Sequence, residues 1–171
     1  MTTESNEGAA TGAESQAAPS ISIVTQYAKD LSFENPKAPF GLQQQDARPE
    51  IQIRVDVRAQ QLNAEQFEVL LEVNVDAKAS NENVFLVELH YGGIFRLANI
   101  PQDSLQPLLM IECPRMLFPF ARRIIADVTR DGGFPPLMID PIDFVALFRR
   151  RLMAAQEAAA QAGGNGSSQV N

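Results

Sequence analysis

Two observations predict an α+β domain in which strands come first and helices follow. Three runs between residues 51 and 91 alternate apolar and polar residues with period two, and after Pro101 the apolar spacing changes to three and four. In Ile51-Gln52-Ile53-Arg54-Val55-Asp56-Val57-Arg58 the alternation is unbroken. Phe67, Val69, Leu71, Val73 and Val75 repeat it against Glu68, Glu72, Asn74 and Asp76. Phe85, Val87, Leu89 and Tyr91 form the third run, against Val84, Leu86, Glu88 and His90. A polar face on each run means antiparallel strands with one side covered and the other wet. Leu62-Asn63-Ala64 and Ala79-Ser80-Asn81-Glu82-Asn83 provide the turns. Upstream, Ile21 to Glu34 is β-prone but less regular, and Pro36, Pro39 and Gly41 end it. The result is a four-stranded antiparallel sheet.

Leu105, Leu108, Leu109 and Ile111 predict a short helix that Pro114 ends or bends. Leu117, Phe120, Ala121, Ile124, Ile125 and Val128 predict a second, with Arg122, Arg123, Asp127 and Arg130 on its opposite face. Gly132-Gly133 stops it. For the last helix, Asp140 reads as the N-cap, Pro141 as the first residue and Asp143 as a first-turn acid. It runs through Phe144, Val145, Phe148 and Leu152 to about Gln161. Residues 1–19 and 162–171 lack apolar residues to bury and read as disordered tails, leaving 20–161 as a single domain.

The 171 residues carry a net charge of −7, which disfavours nucleic acid as a partner. No run is long and apolar enough to span a membrane, and no signal segment opens the chain, so a cytoplasmic location is expected. One Cys and one His cannot build a Cys/His zinc site, and no phosphate-binding glycine motif is present. His90 reads as a surface residue and Cys113 as a small buried one, so neither catalysis nor a cofactor or metal is expected. Acids concentrate before residue 100, while residues 101–160 are balanced. The acidic sheet face suits a basic protein partner, or else serves solubility alone. Phe33, Phe40, Phe118, Phe134, Phe144 and Phe148 fall at segment ends and loops, where phenylalanines mark a subunit interface or a binding groove.

Five blocks carry a resemblance to a known family: YAKDLSFENP at 27–36, GGIF at 92–95, LFPFAR at 117–122, GFPPL at 133–137 and PIDFVALF at 141–148. Together they resemble the bacterial protein-export chaperone SecB over about residues 20–152. The resemblance implies helices on one face of the sheet and assembly as a homotetramer, a dimer of dimers. It implies an ATP-independent holdase that binds unfolded precursor proteins and delivers them to the motor ATPase SecA. By the same resemblance Asp30, Glu34, Leu86 and Glu88 form the SecA-binding set, and strand parity independently puts Asp30 with Glu34, and Leu86 with Glu88, on a shared face. Client binding is expected at Phe33, Phe40, Leu42, Phe134, Phe144 and Phe148, the alternative for Phe144 and Phe148 being ordinary core. Arg122 and Arg123 are expected to tie subunits together. The rival reading is an interaction protein of the same fold that holds one dedicated partner, such as a toxin–antitoxin component.

Overall fold

The computed structural model describes residues 18–42 and 49–164; most of both expected tails lies outside the described residues. Strands β1 (Ser20–Glu34), β2 (Glu50–Gln61), β3 (Gln66–Ala79) and β4 (Glu82–Ala98) form an antiparallel sheet in the order β1-β4-β3-β2. The turns follow from local chemistry. Between β2 and β3, the Asn63 side-chain oxygen accepts from the amides of Glu65 and Gln66 at 3.1 and 2.9 Å. Between β3 and β4, Ser80 and Asn81 both take positive φ, 52° and 64°, the conformation of a two-residue hairpin turn whose twist matches the strands.

The irregularity of β1 has a physical cause. Its pairing with β4 slips between Ile23 and Thr25 and again between Ala28 and Asp30, and each extra residue inverts the in–out alternation. Past the second slip, Leu31 and Phe33 lie on the face of Leu89 and Val87, while Asp30, Ser32 and Glu34 lie on the open face.

The helical half departs from expectation at Pro114. Helix α1 (Gln102–Pro107) runs without a break into a π turn (Leu108–Glu112) and then α2 (Cys113–Asp131). The amide of Cys113 bonds back five residues to the Leu108 carbonyl. Pro114 has no amide to continue a tighter ladder, and the wider turn seats it in the first turn of α2, where none is required. Leu117, Ala121 and Ile125, four residues apart, are fully buried against the sheet. Each large apolar side chain buried there contributes about 1.5–3 kcal/mol. Gly93 of β4 permits this close approach, since a β-carbon would stand 2.8 Å from the Leu117 side chain. The end of α2 is closed by two bonds, Gly133 N–H to the Arg130 carbonyl and Phe134 N–H to the Thr129 carbonyl, with Gly133 at φ 89°.

The last helix, α3 (Phe144–Gly164), starts later than expected. Its cap is Asp143, not Asp140: the Asp143 carboxylate accepts from the Ala146 amide at 2.9 Å, and its carbonyl accepts from Leu147 at 3.0 Å. Pro141 therefore precedes the helix rather than opening it. The helices cover one face of the sheet, as expected, and leave the other open.

Candidate functional site

On the open face, register decides which side chains meet. Asp30 of β1 lies opposite His90 of β4, Ser32 opposite Glu88, and Glu34 opposite Leu86. On the other side of β4, Glu72, Asn74 and Asp76 of β3 face His90, Glu88 and Leu86. Directly opposed side chains have β-carbons about 5 Å apart, so Asp30, Glu34, Leu86 and Glu88 form one patch, with half-buried Leu86 between Glu34 and Asp76. Three cations of this face are engaged elsewhere: Arg54 with Asp76 at 2.6 Å, Arg58 with Glu72 at 3.1 Å, and Lys29 with Glu68 at 2.9 Å. His90 lies 3.2 Å from Glu88. Among the described residues, no lysine or arginine pairs with Asp30, Glu34 or Glu88.

Beside the patch, Tyr27 packs its ring over Gly92 and donates to Glu68, which also receives Lys29. The Lys29 and Tyr27 hydrogen bonds hold the Glu68 carboxyl below its usual range, while burial and then Glu68 push the Tyr27 phenol up to about 12. A depressed carboxyl stabilises the fold fully above its unfolded value near 4.5, and that contribution disappears as pH falls through the folded value. Glu68→Gln is therefore expected to lose about 0.5–1 kcal/mol at neutral pH, with Lys29 half exposed. The gap to wild type should close in acid. Urea midpoints taken across pH 3–7 test this, and a gap constant with pH would refute it.

The residues expected to bind clients divide into two places. Phe33, at the end of β1, stacks on Phe85 with ring centres 6.1 Å apart, and Phe85 packs on Phe134 at 4.9 Å. Phe33 also lies against Gly132, where a β-carbon would collide with its ring, and Leu42 lies beside Gly133. Asn35 fixes this end by donating to the Gly132 carbonyl at 3.2 Å. Phe40 projects from the short helical turn Phe40–Leu42 with 79% of its surface exposed. Phe33, Leu42 and Phe134 are thus the packed base of one apolar end, and Phe40 its free edge.

Phe144 and Phe148 lie elsewhere. Phe144 is 1% exposed and meets Phe118 edge to face at 6.2 Å, so it belongs to the core and presents no surface to a ligand. Its placement follows from Asp143, since the cap turns the first residue of α3 inward. Phe148 is half-buried and lines a cavity of about 630 Å³ between β2 and α3, together with Ile53, Val55, Val57, Met110 and Leu147. The sequence reading missed these partners. Alternation placed Ile53 and Val55 on the covered face, but only the strand order shows that β2 is an edge, where helical cover is incomplete.

Little here supports bond-making chemistry. Burial, reinforced by Glu112, pushes the Cys113 thiol up to about 12, so it stays protonated and unreactive near neutrality. Among the described residues, no group of three or more His, Cys, Asp or Glu side chains is placed to hold a metal ion, and no helix is long and apolar enough to cross a membrane.

Comparison with known proteins decides the family. The model of the preprotein translocase subunit SecB matches residues 14–155. The chain belongs to the SecB family. A SecB relative, the protein-export protein SecB of Parvibaculum lavamentivorans, is 52% identical over 94% of this chain and 95% of its own. The SecB of Methylocella silvestris is 56% identical over 89% of this chain and 96% of its own. Among solved structures, the SecB-like chaperone Rv1957 of Mycobacterium tuberculosis, in complex with a peptide from the HigA1 antitoxin, superposes with a TM-score of 0.60. At 13% identity, over 71% of this chain and 90% of that one, the likeness concerns the fold. SecB proteins are protein-export chaperones and not enzymes, and the chain shares that function. The reading as a holder of one dedicated partner is not favoured, because relatives more than half identical are export proteins.

Proposed function

We propose that this protein captures unfolded precursor chains without ATP, on apolar surface near Phe40 and in the cavity beside Phe148, and passes them to SecA through its acidic sheet face. The observation that carries the reading is the register that gathers Asp30, Glu34, Leu86 and Glu88 into one patch without a lysine or arginine partner among the described residues. A half-buried leucine ringed by acids fits a basic partner, whose approach the field would steer. The apolar end offers aromatic area at low side-chain entropy cost, as promiscuous recognition requires.

The proposed assembly is a dimer of dimers in the cytoplasm. Ile23, Val24 and Leu31 on the edge strand β1, and Met116 and Phe120 on α2, are exposed apolar residues that a second copy would cover. Arg122 has a buried Nε with no hydrogen-bond partner, and Arg123 is exposed beside it, which supports polar ties between copies. Sedimentation at the mass of one or two chains would refute the tetramer.

Calorimetric titration of an unfolded precursor, beside its folded mature form and without nucleotide, tests the central reading. Binding of the unfolded chain alone, with a negative heat-capacity change, is expected. Binding of neither form would refute it. In the same assay, Phe40→Ala combined with Leu42→Ala should weaken client binding about tenfold. Phe40 makes little use of its surface within the fold, but Leu42 packs beside Gly133, so the melting temperature should fall by a few degrees and binding is compared where the variant is still folded. Undiminished affinity in that variant would move client binding away from the β1–β2 connection.

A further inference from the structure

Strand β2 is an edge of the sheet, so one side of its backbone has no strand to pair with. At Val57 that side is nevertheless filled. The Asp56 carboxylate accepts from the Val57 amide at 2.8 Å, and Arg151 of α3 donates to the Val57 carbonyl at 2.6 Å. The two side chains also pair with each other at 3.3 Å. One supplies the acceptor and the other the donor that a neighbouring strand's carbonyl and amide would supply.

Residues two apart in a strand direct both their backbone groups and their side chains alike, so Ile53 and Val55 share the orientation of Val57. All three residues line the cavity beside Phe148, together with the charged Arg54, Asp56, Arg150 and Arg151. Ile51 and Ile53 are each 38% exposed, so apolar floor and open backbone lie along the same stretch. An extended chain entering there would gain both, except at Val57, where Asp56 and Arg151 already stand.

We propose that Asp56 and Arg151 form a latch that imitates an added strand, and that an extended segment of an unfolded polypeptide must displace it to pair along β2. The latch rests on the reading of this cavity as a client site and adds to it a residue pair that sets how readily the site admits an extended backbone. The latch would also hinder pairing of this edge, with its exposed isoleucines, with other edges, because charged side chains block the middle of the strand. Both side chains are more than half exposed, so their removal leaves the core intact.

The test uses the full chain and an uncharged, end-blocked synthetic peptide alternating leucine and serine, beside a twin N-methylated at every residue, which has no amide to donate. Arg151→Ala is expected to bind the plain peptide roughly three- to tenfold more tightly than wild type, the worth of about one freed backbone bond. The methylated twin should show no such gain. Because the peptide is uncharged, loss of the arginine charge does not account for the change. Equal affinity of wild type and Arg151→Ala for the plain peptide overturns the latch, and so does an equal gain with the methylated twin. Absence of binding by both proteins overturns the cavity reading and the latch together, whereas failure of the latch alone leaves the wild type still binding.

Discussion

Replacing Glu88 by lysine is expected to weaken binding to SecA by about tenfold to a hundredfold while leaving capture of unfolded precursor unchanged. Glu88 stands at the middle of the patch, opposite Ser32 on one side and Asn74 on the other, with Asp30 and Glu34 diagonal to it. Its charge partner is His90 at 3.2 Å, a weak competitor for a basic guest. A lysine there would set a positive charge among the carboxylates, bind them internally, and repel a basic partner. The loss should shrink as salt rises, because exposed charges are screened within about 8–10 Å at ordinary ionic strength. Parallel titrations of SecA and of an unfolded precursor, each at low and high salt, check both halves. Unchanged SecA affinity would remove this face from the dock, and loss of both activities would mean that the substitution damages the fold or the assembly.

Replacing Phe144 by alanine is expected to destabilise the protein by about 3–5 kcal/mol, the largest effect among these variants. The ring is buried at the start of α3 and packs edge to face on Phe118 of α2. It is the fully buried side chain among the first turns of a helix whose residues from Arg149 to Gln161 are exposed. Its removal would leave a cavity and loosen the attachment of α3, so the wall of the cavity beside Phe148 should soften as well. Chemical denaturation measures the loss. A variant as stable as wild type but deficient in client binding would return Phe144 to the ligand surface. Phe148→Ala provides the contrast, since that ring is only half-buried and should cost much less.

The sheet was legible in the sequence because β2, β3 and β4 each hold one register with a wet face, so period two survives along their length. The two bulges in β1 each invert the alternation, which is why Ile21 to Glu34 reads as β-prone without a clean pattern. The acidic patch was accessible to parity because Asp30 and Glu34 both follow the second bulge. That these residues lie beside Leu86 and Glu88 depends on β1 pairing with β4, a choice made by long-range packing that no local pattern encodes. The helix around Pro114, expected to end or bend there, was legible only in part for a related reason. Proline rules describe an α ladder, whereas here a π turn absorbs the missing amide. The same limit hid the cavity, since a residue alternating toward the covered face is buried in a central strand and accessible at an edge.

The strand order also sets a timetable for synthesis. β2, β3 and β4 are consecutive in the chain and can zip together as each hairpin emerges, but β1 is made first and pairs with the strand made last. Roughly 60 residues separate the end of β1 from the end of β4, an interval of several seconds at about 5–20 residues per second. During that interval Ser20–Glu34 lacks the strand it pairs with, so its apolar residues and backbone groups are without their native partners. Closing so long a loop is also the costliest single pairing in the sheet. A nascent chain of this protein therefore passes through the condition of an unpaired strand awaiting a partner, the condition in which its proposed clients are held.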